Sequence, residues 1–239
     1  MTEELFRADA YLRQCEATVT AVDVRGIQLD RTVFYPTGGG QPGDTGALTT
    51  ADGRRVAIAD TVKDRDDGAH LHVPAEGAQD QDQVLAAGDV VTAEIDWDRR
   101  HRLMRMHTGL HLLCSLVDAP VTGGSVGEDR SRLDFDLAET PDKEALTAAL
   151  NALVAQDKAV TPSWITDAEL DANPDLVRTM SVQPPRGSGR VRIIDVQGVD
   201  LQPCGGTHVK ATGEIGPLRI GKIEKKGRQN RRINLHFAE

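Results

Sequence analysis

Two four-residue steps, His107-Thr-Gly-Leu-His111 and Cys204-Gly-Gly-Thr-His208, stand far apart in the chain, and a fold that lets them meet must close a long loop. The first lies in Arg99–Val117, a run of strong helix formers that ends before Pro120, with Asp98 as the expected N-cap. An i, i+4 spacing stacks both imidazoles on one helical face, close enough to share an ion. In the second step, two glycines let the backbone bend so that thiolate and imidazole both point inward, and Pro203 stiffens the entry. Each step alone has an ordinary reading: one histidine packed and one solvated, or a glycine turn with an incidental Cys and His. Together they supply three imidazole nitrogens and one thiolate, a donor set that suits tetrahedral zinc better than an oxygen-seeking ion. One zinc ion held by His107, His111, Cys204 and His208 is therefore expected. The residues between the histidines lack the glutamate of HExxH, which excludes the usual metalloprotease arrangement. Four protein ligands ordinarily close a structural site, so catalysis would require one to loosen or the coordination to expand. Spacing leaves both open.

The rest of the chain reads as α+β. Period-2 segments at Thr18–Val24, Ile27–Leu29, Arg55–Ile58 and Val90–Asp96, separated by Gly and Asp turns, predict a small barrel or sandwich over the first ninety-odd residues. The aspartate-rich stretch 60–83 is expected as a solvated hairpin or loop. A boundary is placed within residues 90–98, giving domains 1–94 and 95–239. A second helix should start at Thr140 with Pro141 in its first position, presenting Leu146, Ala149, Leu150, Leu153 and Val154 on one face. Strands are expected at Val160–Ile165, Val191–Val196, Gly216–Ile223 and Arg231–Phe237, and a loop at Gln183–Gly189.

Composition narrows the function classes. A net charge of −9 argues against nonspecific coating of nucleic acid and against a basic membrane-surface protein. Cys15, Cys114 and Cys204 are odd in number and dispersed, unlike a secreted disulfide framework. The N-terminus is polar, with no apolar signal core, and no apolar run is long enough to span a bilayer, so a cytoplasmic location is expected. Against this acidic background, Arg219–Arg232 gathers Arg219, Lys222, Lys225, Lys226, Arg228, Arg231 and Arg232 with Glu224 as its one acid. The contrast points to phosphate contact; no aromatic residue interleaves, so base stacking is not indicated there. The segment Phe34–Gly46 lacks the ending of a P-loop and does not match GxGxxG, so no nucleotide cofactor is expected. Its composition favours a mobile hairpin loop; the other reading is a backbone brought close to a ligand, with Gln41 as a polar contact. His70 and His72 are expected to be exposed, Cys114 to lie in the core, and His101 and His236 to have no partner at metal spacing.

These motifs, with Tyr35-Pro-Thr-Gly-Gly-Gly-Gln-Pro-Gly-Asp-Thr-Gly46, Gly124–Phe135, Thr212-Gly-Glu-Ile-Gly216 and Gly227–Ile233 in the same order, resemble the editing domain of alanyl-tRNA synthetase and its free-standing relatives, the AlaX alanyl-tRNA editing proteins. The resemblance covers essentially the whole chain. It implies the medium-length, free-standing form: a small N-terminal β-barrel with the glycine-rich loop, then an α/β editing domain with a mostly antiparallel sheet packed by helices. The synthetase's aminoacylation and C-terminal modules are expected to be absent. The implied activity is hydrolysis of Ser-tRNA(Ala), and of Gly-tRNA(Ala), with Ala-tRNA(Ala) left intact; a tRNA-binding module with a purely structural zinc is the alternative. An aminoacyl ester is already activated, so metal-assisted hydrolysis requires no ATP. Serine differs from alanine by one hydroxyl, and a site that pairs that hydroxyl can reject the analogue lacking it by about 10⁴-fold. Thr207 and Gln41 are the candidates for that polar role. Gly39, Gly40, Arg132 and Asp134 are candidates for holding the substrate, and Lys222, Lys225, Lys226, Arg228, Arg231 and Arg232 for tRNA. Gly109 stands where relatives more often carry alanine.

Overall fold

The computed structural model describes residues 2–77, 85–179 and 189–238, so all of the expected Gln183–Gly189 loop but its last residue lies outside them. The chain divides into two compact units, Met1–His101 and Arg102–Glu239. The first holds β1 (Glu3–Glu4), β2 (Gln14–Asp23), β3 (Gly26–Leu29), β4 (Arg31–Thr32), β5 (Gly46–Thr50), β6 (Arg55–Lys63), β7 (His70–Pro74) and β8 (Val90–Ile95). Six of them close an antiparallel barrel in the order β2-β3-β7-β6-β5-β8, while β1 pairs in parallel with β4. The reason is visible in β8: Val91, Ala93 and Ile95 are buried, whereas Val90 is exposed. Alternation puts every second residue inside a closed wall, and closure leaves no free edge among the six strands. Branched aliphatic residues such as Val19, Ile27, Leu48 and Val56 fill the interior, with Phe34 as a large plug.

The glycine-rich segment packs against this barrel on either side of a tight turn, with Gly39 and Gly40 exposed at its tip. Tyr35 and Gln41 are buried. A Cβ at Gly46 would lie 2.1 Å from the Glu94 carbonyl oxygen, so only glycine allows β5 and β8 this approach. Composition could not distinguish a glycine needed for close packing from one needed for motion.

One ion pair ties the segment down. Helix α1 (Trp97–Leu116) begins in the first unit, and its Arg100 is fully buried against Asp44. Arg100 Nε donates to both Asp44 oxygens at 3.0 and 2.9 Å, and the remaining guanidinium nitrogens reach Ala10 O at 2.9 Å and Val33 O at 2.7 Å. Asp44 also accepts from the Tyr35 N–H at 2.6 Å. A buried pair survives desolvation only when its donors and acceptors are met in this way. The helix is capped by Asp96, whose carboxylate accepts from the Arg99 N–H at 3.1 Å, and not by Asp98.

His70 and His72 are buried, contrary to the solvated strand expected. They stack with centroids 5.2 Å apart, and β7 turns both into the barrel region. His72 Nδ1 lies 3.0 Å from Ile27 O and Nε2 lies 2.8 Å from Thr32 Oγ1, so the neutral ring is satisfied on both sides. The aspartates around it misled because they sit in the β6–β7 turn, where Asp64 and Asp67 pair with Arg25.

Among the described residues the second unit has two sheets and three α-helical segments: residues 102–116 of α1, then α2 (Lys143–Ala155) and α3 (Asp167–Ala172). The strands are β9 (Val121–Ser125), β10 (Arg130–Asp136), β11 (Val160–Thr166), β12 (Arg190–Val196), β13 (Asp200–Pro203), β14 (Leu218–Lys225) and β15 (Asn230–Phe237). They form antiparallel sheets in the orders β14-β15-β10-β9 and β11-β12-β13. The first carries α1 so closely that a Cβ at Gly109 would meet Leu218 Cδ1 at 3.0 Å and Leu235 Cδ2 at 3.2 Å. Glycine weakens helix α1 locally, by about 1 kcal/mol relative to alanine, but lets it settle onto β14 and β15. Helix α2 starts three residues later than Thr140, because the Asp142 carboxylate caps it by accepting from Ala145 N at 2.7 Å; Pro141 precedes the cap. Among the described residues no helix is long and apolar enough to cross a membrane.

Asp44→Ala would leave the Arg100 charge buried and unpaired. Chemical denaturation should show a loss of about 3–5 kcal/mol, and the double change Asp44→Leu/Arg100→Met should recover most of it. A double variant no more stable than the single one would contradict this account. Burial also pushes the His72 pKa down to about 3, against about 6.5 in an unfolded chain. Between those values the unfolded state takes up a proton that the folded state excludes. Stability from this group is therefore complete above pH 6.5 and declines as pH falls toward 3. His72→Gln should flatten the stability–pH profile between pH 6 and 4.

Candidate metal centre

The two His/Cys steps meet inside the second unit. His107 and His111 project from one face of α1, and Cys204 and His208 come from the segment that follows β13. One donor atom from each lies within 4.8 Å of every other. Cys204 Sγ is 3.5 Å from His107 Nε2 and 3.3 Å from His208 Nε2. A tetrahedral zinc with ordinary bond lengths would separate a sulfur and a nitrogen ligand by about 3.5 Å. The three imidazoles are buried, and their centroids lie 4.4–5.5 Å apart. Three histidines so crowded have no packing logic of their own; a shared cation supplies one. The residues fit a metal ion.

Neighbouring groups decide which nitrogen each ring offers. Thr108 Oγ1 donates to Met104 O at 2.9 Å, so it can only accept from His208 Nδ1 at 3.2 Å and from the Val209 N–H at 3.3 Å. That assignment puts the His208 proton on Nδ1 and frees Nε2 toward the cluster. Asp200 Oδ2 stands 2.8 Å from His111 Nδ1 and does the same for that ring; Gln202 Nε2 donates to the same oxygen at 2.7 Å. A carboxylate behind a ligating histidine fixes its tautomer and raises its basicity. Asp200 Oδ1 is buried with no hydrogen-bond partner among the described residues. Arg192 braces the loop by donating to Cys204 O at 2.9 Å and Gly206 O at 2.8 Å.

The electrostatics follow from this crowding. Burial opposes ionisation of Cys204, but the imidazoles of His107 and His208 overcome it and hold the thiol well below its ordinary value. Burial pulls His111 down, and the hydrogen bonds the ring donates to Asp200 and Cys204 outweigh it, pushing the ring up to about 10. Burial and the charge of His107 hold His208 well below its usual range. The metal-free cluster thus leans toward a thiolate paired with an imidazolium, and a metal must displace protons to enter.

Asp200, Gln202, Thr108 and Arg192 escaped the sequence reading. A signal existed for two of them: Asp200, Gln202 and Cys204 alternate along one extended segment and so share a face. Thr108 is a neighbour of His107 with no periodic signature.

Of the other expected site residues, Thr207 is buried beside His208. Gly39 and Gly40 form a two-residue turn closed by paired backbone hydrogen bonds between Gly38 and Gln41, in the first unit. Arg132 and Arg232 both pair with Asp134, the latter through two bonds of 2.8 and 2.9 Å across β10 and β15. Lys222, Lys225, Lys226 and Arg228 are exposed on β14 and at the tip of the β14–β15 hairpin. Arg231 departs from this group: it is buried, its guanidinium bonded to Thr140 Oγ1, Ala138 O and the hairpin backbone.

A family model described as the threonyl and alanyl tRNA synthetase second additional domain matches residues 191–234, which include Cys204 and His208. Another, described as class II (A) tRNA synthetases, matches residues 6–99. The chain is 38% identical over 241 residues to the alanyl-tRNA editing protein AlaX-M of Methanosarcina acetivorans, covering 98% of each chain. It belongs to the AlaX-M family of alanyl-tRNA editing proteins. AlaX-M of Saccharolobus solfataricus is 33% identical over 237 residues, again with 98% of each covered. The alanine–tRNA ligase of Sulfurisphaera tokodaii is 33% identical over 235 residues, where the match spans 94% of this chain and 25% of the ligase.

Asp200→Asn keeps the shape of the carboxylate but loses its charge. Competition with a chromophoric chelator should show metal affinity reduced by about 10–100-fold, with metal stoichiometry at saturation still one. Unchanged affinity would remove Asp200 from the site.

Proposed function

We propose that this chain hydrolyses the ester of tRNA(Ala) mischarged with serine, and with glycine, sparing Ala-tRNA(Ala). The observation that carries the reading is the His107, His111, Cys204 and His208 cluster, in a chain related over nearly its full length to AlaX-M proteins. Zinc suits the three nitrogens and one thiolate, and when bound it supplies Lewis acidity beside the ester. The chain's own residues prepare that chemistry. Asp200 and Thr108 keep the Nε2 atoms of His111 and His208 turned inward, and Arg192 holds the backbone of the Cys204 loop.

Discrimination between serine and alanine requires a polar partner for one hydroxyl, because an apolar pocket separates such a pair only weakly. Thr207, adjacent to His208, is assigned that role, and Arg132 and Asp134, in the same unit, are assigned to holding the substrate. Lys222, Lys225, Lys226 and Arg228, with Arg232, are assigned to the phosphate backbone of tRNA. Arg231 is left out because, unlike Arg232, it is buried, with its guanidinium bonded within the protein.

A tRNA-binding module with a structural zinc is the second reading, and the four-ligand donor set favours it on coordination grounds. Deacylation of Ser-tRNA(Ala) and Ala-tRNA(Ala), measured side by side with metal content, separates the two. We expect turnover of the seryl ester at least about 10²-fold faster, lost together with metal in Cys204→Ala. Equal rates on both esters would remove the specificity, and tRNA binding without turnover would select the structural reading. Charge reversal at Lys225, Lys226 and Arg228 should raise KM and flatten the dependence of log K on log salt, by up to about 0.9 for each phosphate no longer neutralised.

A further inference from the structure

The chain has two tryptophans, and one of them, Trp164, is 45% exposed on β11. Its surroundings differ from those of a stray surface aromatic. The β11–β12–β13 register sets Trp164 opposite Arg192, and Ser163 opposite Ile193, which in turn faces Pro203. One residue further along, the Cys204 N–H donates to Arg192 O at 3.1 Å, so Cys204 continues that register. Directly opposed residues in antiparallel strands point to the same face. Trp164, Arg192 and Cys204 therefore form a row across three neighbouring chain segments on one face. Two strand spacings put the Cα atoms of Trp164 and Cys204 about 10 Å apart.

The row is held from within. Arg192, between the two, is buried and donates to the Cys204 and Gly206 carbonyls. Arg190, next on the same face, carries its guanidinium carbon 5.5 Å from the Trp164 ring. An indole with an adjacent guanidinium offers a flat, cation-flanked surface, the chemistry that recognises a nucleobase together with its phosphate. An aminoacyl ester at a tRNA 3′ end sits on the ribose of the terminal nucleotide. With the ester at the metal cluster, that nucleotide's own base lies within reach of a surface about 10 Å from Cys204.

We propose that Trp164 and Arg190 form a stacking subsite for the terminal adenine of the acceptor end. The proposal rests on the editing reading of the metal centre, and it supplies the aromatic contact that the basic β14–β15 hairpin lacks. Trp164 acts by binding; the reacting atoms stay with the cluster.

Two measurements test it. In a Trp97→Phe background, where Trp164 is the only fluorophore of its kind, emission is followed during titration with an uncharged acceptor-stem hairpin ending in CCA and with one lacking the final adenosine. The full hairpin should quench emission and bind more tightly. In the otherwise native protein, Trp164→Leu should raise KM for Ser-tRNA(Ala) by about 5–100-fold, the range expected when one base loses its stacking partner, with kcat and metal content unchanged. Trp164→Phe should restore much of the loss, since an aromatic face remains.

Equal quenching by both hairpins, no quenching at all, or an unaltered KM in Trp164→Leu would each overturn the subsite. A change in sedimentation from dimer to monomer with KM unaltered would overturn it too, assigning this strand to self-association. Adenosine-dependent quenching without deacylation of any ester would keep the subsite and remove the hydrolytic reading, so the two fail separately.

Discussion

The Thr108 hydroxyl and the Asp200 carboxylate are the points on which the His/Cys cluster turns. Three imidazoles and a thiol cannot be gathered at hydrogen-bond separations without deciding where each proton goes. Thr108 has given its proton to the backbone of its own helix, so His208 must present Nδ1–H to it. Asp200 makes the same demand of His111. With both Nδ1 positions occupied, the Nε2 atoms face one another and Cys204, an arrangement that a cation relieves. Thr108 does a second service by accepting the Val209 N–H, which joins the helix to the backbone just past His208.

The first unit solves a separate problem by similar means. A glycine-rich segment with little side-chain surface has few apolar contacts to hold it. Asp44 provides a charged anchor at its centre, and Arg100 meets that charge through both Nε and Nη2, while Nη1 reaches Ala10 O and Nη2 also reaches Val33 O. The glycines then serve proximity: Gly46 lets two strands approach where any side chain would collide with the Glu94 carbonyl. In the second unit Gly109 serves likewise, admitting Leu218 and Leu235 against the helix between His107 and His111.

Legibility varied with the kind of signal. Strands such as β8 and β15 were readable because burial on one face imposes period 2 on the residues themselves. Strand β9 was not, since Val-Thr-Gly-Gly-Ser carries almost no pattern and is held in place by its pairing with β10. Helix starts were misplaced by two or three residues because several acidic residues were available and only the folded chain shows which carboxylate reaches an amide. His70 and His72 were read as exposed from their acidic neighbours, yet in the fold those aspartates occupy the turn and the rings face inward. Arg231 was indistinguishable in sequence from Arg228; one is buried and bonded within the protein, the other stands at a hairpin tip.

The sequence by itself determined the donor set, because the identity and spacing of His107, His111, Cys204 and His208 specify soft nitrogen and sulfur ligands in pairs that local backbone geometry can aim. It also carried the family resemblance through ordered motifs. Tertiary structure alone decided that these pairs meet, which ring nitrogen each presents, and that Asp200, Thr108 and Arg192 stand behind them. It decided as well that an exposed tryptophan lies two strands from the Cys204 loop. Contacts between residues distant in sequence depend on register and packing, and neither leaves a mark on the residues taken one segment at a time.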